Sequence, residues 1–251
     1  TVNTVVGHLT MAPLLTTLKS WQLFHDYHHR FPQKHGVQHD FCRYLVTREG
    51  LREASLMSRL GYRVPGGFLL WILGGIYRRA TLARSIPELV PNPTEARRLR
   101  ISTACTLGIV AALWTCLTLV AGPFAILKYH LAPVIVATLL GSLLVTVQHT
   151  NMDAIFYTPE AWTPLRGQIV STFDVRFPRA LEWLWCDINL HVAHHVSPRI
   201  PWYHLRRAGR ALSRAYPSYY QERRFGRSEL AFLWRTPFLR PIPGLGSLDF
   251  E

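Results

Sequence analysis

Two long runs without charge limit what this chain can fold into. Ile101 to Ala121 carries no Asp, Glu, Lys or Arg, and neither does Leu131 to Val147. Between Ile101 and Gln148 the single such side chain is Lys128. A helix rises about 1.5 Å per residue, so roughly 20 apolar residues cross the roughly 30 Å of hydrocarbon in a bilayer. Backbone polar groups find no water there and must pair within the segment, which a helix does. The stretch between the runs, GPFAILKYH, is short and reads as a loop. The pattern predicts a transmembrane helical hairpin over about residues 101–148.

The charge sits outside that hairpin. Lys and Arg number 28 against 15 Asp and Glu, a formal net charge of +13. A basic chain suggests nucleic acid or an anionic membrane surface as its partner. Segregation of charge from the apolar runs favours the membrane, and no nucleic-acid-binding motif accompanies the Arg clusters. Arg78, Arg79, Arg84, Arg97, Arg98 and Arg100 precede the hairpin in a Pro-containing connector, and a basic, aromatic tail from Leu205 to Arg240 follows it. By the positive-inside rule these flanks face the cytoplasm. The tail reads as a solvated cap touching anionic lipid, or as a docking face for an acidic electron carrier. Cys42, Cys105, Cys116 and Cys186 show no CxxC spacing, which argues against a disulfide framework.

Histidines form the second pattern. His25, His28 and His29 occur in FHDYHH, and His191, His194 and His195 in HVAHH. Positions i, i+3 and i+4 share one face of a helix, so each triplet can aim three imidazoles at one spot. One triplet precedes the hairpin and one follows it, and an even number of crossings puts both on the same side. His149 stands at the cytoplasmic end of the second run. Seven histidines thus reach one level near the membrane surface. A lone histidine on an apolar helix is usually a satisfied core residue; two matched triplets call for ligation. His35 and His39 are weaker ligand candidates in a polar loop, since Gly36 disfavours a helix between them.

Imidazole suits iron, zinc, copper and nickel, and seven exceed the needs of one tetrahedral zinc, so two metals are the natural count. No HExxH motif is present. A paired-metal site beside a lipid-accessible hairpin points to oxygen chemistry on an acyl chain, because an alkyl C–H bond offers no acid, base or leaving group. Asp187, four residues before His191, and Asp153, four after His149, are candidates to orient ligand imidazoles, with Asp26 and Asp40 flanking the first triplet; each could instead cap a helix or stand as a surface charge.

The remaining segments organise around these two patterns. Residues 4–20 read as an interfacial helix leading into the first triplet, and 43–63 as basic helix. VPGGFLLWILGGIY, residues 64–77, is too short to span and reads as re-entrant or interfacial. Residues 150–187 alternate polar and aromatic stretches and read as helices on the membrane face. Pro198 and Pro201 end the helix of the second triplet. The expected fold is all-α: an integral membrane protein with a helical hairpin and a cytoplasmic helical cap, residues 1–251 forming one domain.

These motifs resemble those of the membrane-bound fatty acid desaturases, and among them the acyl-lipid desaturases of the Δ12/ω-6 type. VVGHLTMAPLLTTLKSWQLFHDYHH, QHT at Gln148–Thr150 and DINLHVAHHVSPRIPWYHL carry the resemblance, which runs from about Asn3 to Leu205. It implies that His25, His28 and His29 are the family's second histidine box, that His191, His194 and His195 are the third, and that His149 is the additional ligand. It further implies two iron ions as cofactor, dioxygen, and two electrons from ferredoxin or cytochrome b5. The substrate it implies is a fatty acyl lipid whose chain end lies in an apolar tunnel. The family's first box has no counterpart in this chain, so a missing N-terminal part, with a further hairpin, is expected; His8 falls where the family needs no ligand. Cys186 stands where relatives often carry His, and reads as a buried thiol beside Trp185.

Three rivals stand beside the desaturase. A hydroxylase, acetylenase, epoxygenase or conjugase uses the same scaffold. A non-catalytic membrane protein would hold fewer than two irons. A metal transporter needs polar groups within its spans.

Overall fold

The structure, a computed structural model, describes residues 2–36, 47–54, 56, 59, 90, 92–235, 238–242 and 246–250. The apolar segment 64–77, most of the basic connector after it, and His39, Asp40 and Cys42 lie outside these residues. The chain divides into two compact units, with boundaries after Tyr27 in one helix and after Ser142 in another.

In the first unit, α1 covers Val2–Met11 and a short 3-10 turn with Pro13 follows it. Leu15 closes that turn at φ 54°, and α2 begins anew as Leu18–Arg30. The expected helix over 4–20 is therefore broken in two. Helix α4, Pro93–Ala121, starts as its sequence dictates: the Asn92 side chain accepts from the Glu95 backbone N–H, and proline occupies the first turn. Glu95 pairs with Lys19 at 2.6 Å and with Arg98 at 2.7 Å. Arg97, Arg98 and Arg100 thus lie in the first turns of α4 and not in a connector.

Gly122, at φ 79°, ends α4, and the chain turns at once into α5, Phe124–His149. The loop expected at GPFAILKYH is accordingly a Gly–Pro turn, and Lys128 and His130 belong to a π-helical turn at Leu127–Leu131. Buried His130 accepts from Trp114 Nε1 at 2.7 Å through Nδ1 and donates through Nε2 to the Pro13 carbonyl at 2.6 Å. That chain of bonds ties the hairpin's turn to the end of α1. Only Leu99, Ser102, Thr106 and Val110 of α4 are buried, along one helical face. Leu107, Leu119, Val120, Phe124 and Val136 are exposed. Water would penalise so much uncovered apolar surface, and lipid would not. Both helices are long and apolar enough to cross a membrane.

In the second unit, α3, Arg48–Glu53, is capped by the Thr47 hydroxyl on Gly50 N–H. Residues 150–187 are not a set of surface helices. They form β1 (Phe156–Tyr157), a π-turn at Arg166–Val170, β2 (Phe173–Arg176) and the short α6 (Arg179–Leu184). Then come α7 (His191–Val196), α8 (Leu205–Ala215), β3 (Gln221–Arg224), α9 (Arg227–Arg235), β4 (Leu239–Ile242) and β5 (Ser247–Phe250). Strands β2 and β3 pair in parallel, Phe173 opposite Gln221, and β1, β5 and β4 make an antiparallel sheet. The protein is mostly helical, as expected; the two small sheets among the described residues are additional.

Candidate metal centre

Three elements deliver the histidines. His28 and His29 lie in the last turn of α2, and His149 closes α5. His191, His194 and His195 fill α7, which ends at Val196 ahead of Pro198. Helix α7 is only six residues long, too short to hold itself in water. Neighbours hold it instead. Asp174 Oδ1, on β2, accepts from Val192 N–H at 2.9 Å. The Asn189 side chain donates to Val175 O at 3.1 Å and to Glu182 Oε1 at 3.2 Å, and Val175 N–H returns a bond to Asn189 O at 3.0 Å. Strand β2 therefore fixes the entrance of α7.

Four imidazoles meet at their Nε2 atoms. His149 Nε2 lies 3.0 Å from that of His28, 2.9 Å from His191 and 3.1 Å from His195. His195 Nε2 lies 3.2 Å from His28 and 3.1 Å from His191. All four side chains are buried. Hydrogen bonds cannot satisfy this set, because each Nε2 carries one proton or one lone pair while those of His149 and His195 each face three others. A shared cation can. Metal–nitrogen bonds of about 2.0–2.1 Å give N···N edges of about 2.9 Å at right angles and about 3.4 Å at tetrahedral angles, and the observed edges fall in that range. Beside this set, His29 Nε2 lies 3.1 Å from His194 Nε2. His25 stands one turn earlier on α2, on the face of His29, with its ring stacked on Trp21.

Burial favours the neutral form of the three rings on α7. Desolvation, then the neighbouring imidazoles, hold His191 and His195 well below the usual histidine range. Burial brings His194 down to about 4. Neutral imidazole is the form that binds a metal.

The groups that contact the histidines are not those expected. Cys186 and Asp187 adopt φ of 51° and 56°, so Asp187 is outside the helix of His191 and faces Arg206, as does Glu182. Asp153 lies beyond the end of α5 and pairs with Arg223. Asp26 is exposed. Cys186 is exposed too, not buried, and belongs to neither histidine group. His35 is also outside both groups. Glutamines do the orienting. Gln168 Oε1 accepts from His195 Nδ1 at 3.1 Å, and its amide donates to the His29 carbonyl. Gln33 Nε2 donates to the His149 carbonyl at 2.6 Å, and Gln148 Nε2 to the Ile188 carbonyl at 2.9 Å. With Nδ1 of His195 committed as donor, its Nε2 presents a lone pair to the cluster.

The sequence profile described as "Fatty acid desaturase" matches residues 1–227. The chain belongs to the fatty acid desaturase family. It is 29% identical over 224 residues to an sn-1 oleoyl-lipid 12-desaturase of Synechocystis sp., covering 89% of this chain and 62% of that one. It is 28% identical over 223 residues to a chloroplastic omega-6 fatty acid desaturase of Glycine max, covering 88% and 51%. The corresponding Arabidopsis thaliana enzyme is 27% identical over 218 residues, covering 87% and 47%. The chain thus spans about half to three-fifths of the length of these relatives. Both histidine triplets and His149 lie within the part matched to the desaturase profile.

Proposed function

We propose that this protein removes two hydrogens from a fatty acyl chain, probing its lipid substrate from a membrane and consuming dioxygen and two electrons. The convergence of four buried Nε2 atoms carries this reading, together with membership of the desaturase family. His28, His149, His191 and His195 would hold one iron, and His29 and His194, with His25 from the preceding turn of α2, a second. Iron held there supplies dioxygen chemistry able to attack an unactivated C–H bond. The chain's own residues do the rest. Burial keeps His191, His194 and His195 unprotonated, Gln168 and Gln33 fix the backbone and ring orientation of histidines from three elements, and the packed surroundings keep bulk water from the site.

The balance is one saturated pair of carbons, one dioxygen, two electrons and two protons to one alkene and two waters. The similarity to relatives named 12-desaturase and omega-6 desaturase supports an acyl-lipid substrate and a Δ12/ω-6-like position. The basic flanks support a site facing the cytoplasm. Electrons would come from a ferredoxin or cytochrome b5 type of protein. The gene is expressed in bacteria with a ferredoxin system, and the lipids are analysed by gas chromatography with mass spectrometry. A new double bond, absent with His149→Ala, is expected. A hydroxy or epoxy product would transfer the site to a sister oxidation. Wild-type protein that binds two irons and changes no acyl chain would overturn the reading.

A further inference from the structure

From Ile188 to Gln221 the chain contains no Asp or Glu, while it contains Arg199, Arg206, Arg207, Arg210 and Arg214. Helix α8 sorts these cations by face. Leu205, Ala208 and Leu212 pack inward against Leu190 and Ala193. Arg206 turns its guanidinium onto Asp187 and Glu182. Arg207, Arg210 and Arg214 follow at helical spacing on the exposed side. Among the described residues none of these three has an ion-pair partner. Trp202 and Tyr203, both exposed, stand at the head of the same helix.

The inward face of α8 decides what the outward face is near. Ala193, on which it packs, sits between His191 and His194 on α7. Packed helices lie about 8–10 Å apart, so the arginine row, on the far side of α8, stands roughly one helix diameter beyond the helix that carries three of the seven histidines. The oxidation proposed above consumes two electrons from outside, and a carrier must give them up close to the metal centre. Complementary charge brings such a carrier to its place and sets its orientation. A bilayer is the poorer fit. A surface helix that binds lipid buries its apolar face in the acyl region, and the apolar face of α8 is already covered. Arg, Tyr and Trp are the residues enriched at protein interfaces.

We propose that the Arg207–Arg210–Arg214 face of α8, with Tyr203 and Trp202 beside it, docks a small acidic one-electron-carrier protein that reduces the histidine centre. The proposal rests on the redox reading of that centre. Each docked carrier is oxidised by one electron, so two dockings serve one acyl chain.

Binding tests it directly, with the full chain in detergent micelles and two acidic probes, a plant-type ferredoxin and a soluble cytochrome b5 domain. At least one probe should bind, and weaken at least tenfold between 50 and 200 mM salt, an order-of-magnitude expectation for charge-steered association. The triple variant R207E/R210E/R214E should weaken it at least tenfold further, with metal content and thermal unfolding unchanged. Equal binding by wild type and variant, or no binding of either probe, overturns the proposal. So does loss in the variant of binding to phosphatidylglycerol vesicles while carrier binding persists, which assigns the face to lipid. A parallel assay with dithionite as reductant separates the two readings. Product from wild type and variant alike leaves the oxidation standing whatever the binding shows, and no product from either tells against the oxidation and not against the surface.

Discussion

Single side chains decide whether the cluster holds metal. Gln168 reaches both histidine triplets, accepting from His195 and donating to the backbone of His29. Gln168→Ala is expected to weaken metal binding by about 10–100-fold, the usual cost of losing a ligand's hydrogen-bond partner. Gln168→Glu keeps the acceptor for His195 and should retain more metal than the alanine variant. Equilibrium dialysis against iron or cobalt reads both, and unchanged binding in the alanine variant would remove Gln168 from the site. Protons test the same residues. Ordinary histidines take up protons below about pH 6.5 and then compete with metal. Here burial lowers His191 and His195 far below that and His194 to about 4. Metal affinity of the folded protein should therefore change little between pH 7 and 5.5. An affinity falling steeply over that interval contradicts the depressed protonation of His191, His194 and His195. The same depression makes the unfolded chain the better proton binder between about pH 4 and 6.5. The stability of the metal-free protein should thus be full above about pH 6.5 and decline as the pH falls toward 4.

At the scale of elements, the turn that carries Gln168 is held by a contact no sequence pattern announces. A Cβ on Gly167 would sit 2.6 Å from the Pro32 carbonyl and 2.8 Å from Trp162 Nε1, which donates to that carbonyl. Gly167→Ala must push the turn or break that bond. A loss of about 1–3 kcal/mol is expected, in line with overpacking elsewhere, together with weaker metal retention. Gly141, with nothing within 4 Å of its Cβ position, is the control, and its alanine variant should keep both properties. The histidine triplets and the span helices were legible because each is a local pattern: spacing on one helix face, or an uncharged run. The carboxylate partners were misread because Asp187 was placed by extending the helix backward, and the left-handed backbone at Cys186 and Asp187 ends that extension. Pairing of Phe173–Arg176 with Gln221–Arg224 joins segments far apart in sequence, and β3 alternates half-buried and exposed polar residues with no apolar signal. Gln168, Gln33 and Gln148 were missed for a related reason. Glutamine becomes informative only once its partners are placed, and two of these three bond backbone carbonyls alone.

For the molecule as a whole, the open question in the sequence is whether its apolar helices serve a core or a bilayer. Length and hydropathy fit both uses. Exposure separates them, since only 11% of the most apolar window of α4 and 22% of that of α5 are buried. A soluble core helix would hide that surface against other chain. Leu107, 65% exposed near the middle of α4, makes the distinction measurable. Were that surface in water, Leu107→Arg would shift stability by no more than about 0.5 kcal/mol, as exposed substitutions usually do. In hydrocarbon, arginine at a helix centre costs about 2.5–3.5 kcal/mol of insertion free energy. The wild-type protein should remain in the membrane pellet through high salt and alkaline carbonate and leave it only with detergent. The Leu107→Arg variant should show a clear fall in the inserted fraction, whereas Leu107→Ile should not. Equal recovery of the arginine variant in the carbonate-resistant pellet would mean that α4 does not face lipid at this position, and the apolar surface of the hairpin would then need a protein partner to cover it.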